Sequence, residues 1–242
     1  MDSVLVGSPD LEDYPIMDVR WEGRWQFGHR ALIYAASVRI ENCDIDTGDD
    51  AISLKSGRGM NGARIGKPTE DVLIRRCVLG GGYFACIGSE TSGGIRDVRI
   101  EKTRFTHSRT YAIYIKIRTG RGGVIENIIG KDLDIADGGF LCINSVSGGN
   151  QSTPDDMVQG KLGYPIIRNI RFSDIRLKDV TTLTEAVKIA PEIPILGLSL
   201  RNITGTCHKG IFLANIQDAS LRNINVTGFT GPLLTIENEV VK

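Results

Sequence analysis

No stretch of this 242-residue chain stays apolar for the ~18 residues that a membrane-spanning helix requires. No charge of one sign dominates either, since 29 basic residues face 29 acidic ones. That balance argues against nucleic acid or an anionic membrane as partner, while still permitting a local basic cleft. The five cysteines are odd in number and lack C-x-x-C spacing, which argues against a complete disulfide framework. His29, His107 and His208 stand apart from any Cys/His/Asp/Glu spacing that would hold zinc. Walker and Gly-x-Ser-x-Gly sequences are missing, so neither a P-loop nucleotide site nor an α/β-hydrolase is supported. The opening MDSVLVGSPDLEDYP has no charged region followed by an apolar one, so no signal peptide is visible.

Helical periodicity is scarce beyond the N-terminal region. The chain instead repeats a short pattern, (N/D)-(V/I)-x-(I/F/L), followed soon by another apolar residue. It occurs at Val38-Arg39-Ile40, Val72-Leu73-Ile74, Val98-Arg99-Ile100, Ile128, Ile170-Arg171-Phe172, Leu198-Ser199-Leu200 and Ala219-Ser220-Leu221. The spacings run roughly 20 to 40 residues, as expected of stacked coils with loops of variable length. Alternation of apolar and polar residues marks half-buried strands, each too short to bury its own apolar face. Stacking on the next coil supplies the core. A sandwich or propeller would need hairpin turns, yet Asn61-Gly62 is the single Asn-Gly and lies in a long loop, 57–69. The fold expected is therefore all-β, a right-handed parallel β-helix forming one domain over 1–242. Residues 1–36 serve as an N-terminal cap or lead-in segment, and 37–242 as stacked coils. Cys43 and Cys77, each five residues after the first apolar residue of its strand, are expected in an interior ladder. Trp21 and Trp25 read as packing residues of the cap, with a sugar-stacking platform as the alternative.

Residues 38–57, VRIENCDIDTGDDAISLKSG, carry the chemistry. Gly48 allows a sharp turn, Asp49 and Asp50 follow it, and Lys55-Ser56-Gly57 closes the next strand. An Asp pair in a turn is by itself more often a solvated turn element. The stretch closely resembles the TGDD-x-I-x-x-KSG signature of glycoside hydrolase family 28, the polygalacturonases, in their bacterial form. The resemblance is strong over 38–145 and extends to 165–240 as a general coil pattern. It implies an inverting hydrolase of α-linked galacturonan or a related pectic polysaccharide, with Asp49 as general acid and Asp50 holding the attacking water. Lys116, in Tyr114-Ile115-Lys116, would meet a uronate carboxylate as a point charge. Lys55, Glu90 in Ile87-Gly88-Ser89-Glu90, and Arg118 complete the expected substrate-binding set, with Arg121 beside Arg118 in the same basic turn.

Three family features are absent. The third carboxylate, from an Asn-Thr-Asp-like motif one coil earlier, has no counterpart in Trp25-Gln26-Phe27-Gly28-His29-Arg30. The histidine of Gly-His-Gly is missing from Gly80-Gly81-Gly82-Tyr83-Phe84, and the arginine of Arg-Ile-Lys is replaced by Tyr114. Residues 15–36 look like a segment that several coils separate from the TGDD coil in some bacterial members, so the direct join near Ala36-Ser37 resembles an internal deletion of whole coils. Two readings stay open: a hydrolase, or an impaired β-helix that binds acidic glycan without cutting it. A β-elimination lyase on the same scaffold has little support. Asp44 and Asp46 lack the neighbouring carboxylates that a Ca²⁺ site needs. No cofactor and no metal are expected. A monomer acting on an acidic polysaccharide, without membrane or nucleic acid, is expected, secreted or periplasmic by resemblance.

Overall fold

The computed structural model describes residues 4–6, 19–26, 30–107, 109–149, 154 and 156–238, with 4–6, 19–26 and 30–32 as backbone alone. The chain winds as a right-handed parallel β-helix in which, among the described residues, every ladder between strands is parallel, an isolated antiparallel bridge joining Arg118 and Ser147. Three ladders of stacked strands form its faces. In the first ladder Val38, Val72, Val98, Ile128, Ile170, Leu198 and Ala219 stand in one register column. These are the residues of the recurring sequence pattern, aligned despite their unequal spacing. The surplus residues leave the column as loops.

The pattern has a physical origin at the corner. The residue just before each of these apolar positions adopts the left-handed conformation: φ is 48° at Asp71, 56° at Asp97, Asn127 and Asn169, and 57° at Asp218. Asn and Asp tolerate that region better than other side chains, which explains their recurrence there. The Asn127 side chain also donates to Asp97 Oδ1 at 2.8 Å, and Asn169 donates to Asn127 Oδ1 at 3.2 Å, so the corner itself is a hydrogen-bonded ladder.

Inside the coil the columns are Ile, Val and Leu, almost all fully buried. Branched side chains suit the pleated surface, and each one buried removes apolar area worth about 1.5–3 kcal/mol from water. Gly130 in that wall leaves room for Phe172, whose ring would lie 2.3 Å from a Cβ at position 130. Phe172 meets Phe140 edge-on at 5.3 Å between centroids. Cys43 and Cys77 occupy the interior as adjacent buried thiols, and all five cysteines are free and buried.

The structure differs from the sequence reading in the 57–69 loop, which contains an α-helix at Gly59–Ile65. Gly62 packs against Gly57, where a Cβ would come within 2.6 Å of backbone, and Gly66 ends the helix at φ 63°. So short a helix, held by close backbone packing, carries no hydrophobic periodicity to announce it. Strands Val19–Gln26 and Arg30–Ile33, from the segment read as a cap or lead-in, pair in parallel with Ala36–Thr47 and Ile52–Lys55. The side chains of Trp21 and Trp25 lie outside the described residues. Among the described residues no helix is long and apolar enough to cross a membrane.

Candidate active site

The third ladder stacks Ile52–Lys55, Ala85–Ser89, Tyr111–Ile117, Gly139–Asn144 and the end of Ile166–Lys188. Alternation sends Leu54, Ile87, Ile115 and Ile143 inward. It turns Ser53, Cys86, Tyr114, Cys142 and Glu185 outward in one column, and Lys116, Asn144 and Lys188 outward in the next. The outward face floors a cleft of about 430 Å³ lined by Asp49, Asp50, Lys55, Tyr83, Glu90, Tyr114, Lys116, Asn144, Ser147 and Lys188, among others.

The aspartate doublet enters this cleft from the turn between Ala36–Thr47 and Ile52–Lys55. Thr47 Oγ1 donates to the Asp49 carbonyl at 2.6 Å, and Gly82 N–H donates to the Thr47 carbonyl at 3.1 Å, fixing the turn. The next coil passes so close that a Cβ at Gly81 would sit 1.7 Å from the Thr47 oxygen, at a φ of 104°. Gly81→Ala is therefore expected to cost ~1–3 kcal/mol and to displace the doublet, measured as a lowered urea midpoint. The Gly80-Gly81-Gly82 run thus has a steric cause that its position in the sequence alone does not reveal.

The two aspartates differ sharply. Asp49 is exposed at the rim. Asp50 is buried, and both its oxygens accept from Lys116 Nζ, at 2.9 and 2.8 Å. The Lys116 ammonium also lies 5.1 Å from the Tyr83 ring centroid and 5.9 Å from that of Tyr114, and the two rings stack at 5.7 Å. Burial opposes the charge on Lys116, but Cys86, Asp50 and Asp49 outweigh it, and its pKa stands above the ordinary lysine range. Burial pushes the underlying Cys86 thiol well up, and the Asp50 charge adds to this. Burial likewise raises Tyr114 to about 12, so its phenol stays a proton donor.

Glu90, half-buried, lies 3.4 Å from Lys55 Nζ across two coils. It is a third carboxylate in the cleft that holds the doublet. Asp71 instead stands in the first ladder, where Arg39 of the neighbouring strand clamps it at 3.2 and 3.1 Å. Arg118 does not line the cleft; its guanidinium donates to the Gly149 carbonyl at 2.5 Å and so braces the loop that does. Arg121 is 2% exposed, and one of its nitrogens donates to both the carbonyl and the hydroxyl of Ser89 at 2.6 Å, so this charge is internal scaffolding. Sequence reasoning passed over Tyr83, Asn144, Ser147 and Lys188. Asn144 Oδ1 accepts from the N–H groups of Val146 and Ser147 at 3.1 and 3.0 Å, ordering the same loop. The signal that could have found Asn144 is its place two residues past an outward Cys142, in register with Lys116.

The sequence profile of glycosyl hydrolases family 28 matches residues 32–139. A probable polygalacturonase of Vitis vinifera is 32% identical over 170 residues, spanning 69% of this chain and 34% of the relative. The chain is polygalacturonase-like and resembles glycosyl hydrolases family 28. A family 28 exopolygalacturonase of Yersinia enterocolitica superposes at a TM-score of 0.69, with 14% identity over 87% of this chain and 38% of that one. A hyperthermoactive exopolygalacturonase of Thermotoga maritima gives 0.54, with 24% identity over 88% and 43%. At those identities the two structures speak to the shared fold. The chain spans about a third of the curated relative's length and about two fifths of each structure's.

Proposed function

We propose that this chain provides the catalytic wall of a hydrolase cleaving α-linked galacturonan or a closely related pectic chain, with inversion at the anomeric carbon. The observation that carries the reading is the cleft itself. An exposed Asp49 and a buried, lysine-bound Asp50 share one groove with Glu90 on the outer wall of the β-helix. Asp49, at the rim, donates the proton to the leaving glycosidic oxygen. Asp50, oriented by its two hydrogen bonds from Lys116, holds the attacking water on the opposite face of the sugar. Inverting pairs stand roughly 6.5–9.5 Å apart to admit that water, a span difficult for adjacent residues. Glu90 is the further carboxylate in the groove able to share the role, and its pair with Lys55 also offers contacts to sugar hydroxyls. Lys116 acts by holding Asp50, and Arg118 by holding the Gly149 loop.

A second reading is favoured by particular positions. Tyr83 and Tyr114 stand in the runs where relatives carry His and Arg, and the third family aspartate has no counterpart. A groove so altered would bind an acidic glycan without cutting it. Incubating the purified protein with polygalacturonate separates the two. Reducing ends released with inverted configuration support hydrolysis. Calorimetric binding without product over days replaces it with the binding reading. Secretion to the cell exterior or periplasm, and action as a monomer, are part of the same proposal.

A further inference from the structure

Three lysines line the cleft, and two have their charge committed. Lys116 is held by both oxygens of Asp50 and by two aromatic faces, and Lys55 is paired with Glu90. Lys188 is different. Its side chain is exposed to the cleft, and its ammonium makes no ion pair or hydrogen bond among the described residues. The nearest acid along its own strand, Glu185, accepts a hydrogen bond from the Tyr111 hydroxyl at 2.6 Å.

The position of Lys188 is itself constructed. Cys142 pairs with Glu185, but Asn144 pairs with Lys188, so two residues of one strand oppose three of the other. Strict alternation from Glu185 would have turned Val187 outward. The bulge brings Lys188 opposite Asn144 instead, which is how bulges re-aim a side chain beside a site. Lys116, Asn144 and Lys188 then form one outward row, each a strand spacing of about 4.8 Å from the next. That advance is comparable to the length of a pyranose unit.

We propose that Lys188 is the residue that receives the carboxylate of an acidic sugar, at a unit beside the one that the aspartate doublet attacks. This rests on the pectic reading above and names the specificity residue of that groove. A free carboxylate supplies the counter-charge that Lys188 lacks, and an esterified or neutral sugar does not. The ammonium of Lys116, already occupied, is replaced in this role.

The test is binding of short oligogalacturonate and of its methyl ester, by calorimetry, in an Asp49→Asn background that preserves the ligand. Lys188→Gln is expected to weaken the acidic oligomer about tenfold and to leave the ester unchanged, with the same thermal midpoint. Lys188→Arg is expected to retain the preference for the acid. Unchanged affinity of Lys188→Gln for the acidic oligomer overturns the assignment while leaving the pectic reading intact. Equal losses for acid and ester also overturn it, since they indicate packing. A parent protein that binds neither oligomer removes the pectic reading and this inference together.

Discussion

Asp49→Asn is expected to lower reducing-end release from polygalacturonate by about 10²–10⁴-fold, the usual worth of a positioned general acid. The amide has nearly the same shape but no proton acidic enough to transfer to the departing oxygen. Stability should change by no more than about 0.5 kcal/mol, because the side chain is exposed at the rim and the turn is held by backbone and Thr47. The pairing of these outcomes is what makes the experiment decisive. A large activity loss with an unmoved urea midpoint assigns chemistry to Asp49. Turnover equal to that of the parent removes Asp49 as the acid and shifts attention to Glu90, the other carboxylate of the cleft with solvent access.

Lys116→Met is expected to produce the largest loss of stability at the site, about 3–5 kcal/mol, read from urea denaturation. The lysine is the hydrogen-bonding counter-charge of Asp50, and the two side chains are only 11% and 8% exposed. Removing it leaves the buried Asp50 carboxylate without the two hydrogen bonds that it accepts from the ammonium. The double variant Asp50→Asn with Lys116→Met should recover much of that stability, since it removes the stranded charge along with its partner. A single variant as stable as the double would mean that Asp50 finds other solvation, and that Lys116 does not hold it. Arg96, paired with Glu70 on the outer surface and 46% exposed, is the control. Its replacement by Met should cost less than about 1 kcal/mol, because solvent already screens that pair.

The sign of the pH response follows from Lys116. Its pKa is raised in the folded state, so its contribution is complete below the ordinary lysine value and fades as pH climbs through the higher folded one. Ion pairing at this site therefore does not limit stability on the neutral or mildly alkaline side.

The coil architecture was legible residue by residue. Each recurring Asn or Asp before a Val or Ile marks a corner where the backbone must enter the left-handed region, and local sterics restrict which residues can stand there. The alternation that follows separates the inner face from the outer. The Thr47-Gly48-Asp49-Asp50 turn and Lys116 were legible for the same reason, being local motifs at strand ends. What the sequence could not supply is which strand ends become neighbours across coils. Glu90 meets Lys55 because two coils stack, whereas Asp71, an equally plausible carboxylate in the chain, is carried to another face. Arg121, written as a turn charge, is drawn inside to hold Ser89. Lys188 reaches the groove through a bulge between two strands, and a bulge is a property of their pairing that neither strand carries alone. Local conformation is set by each residue and its immediate neighbours, but a cleft is made by contacts between residues tens of positions apart, and those exist only once the coils have closed on one another.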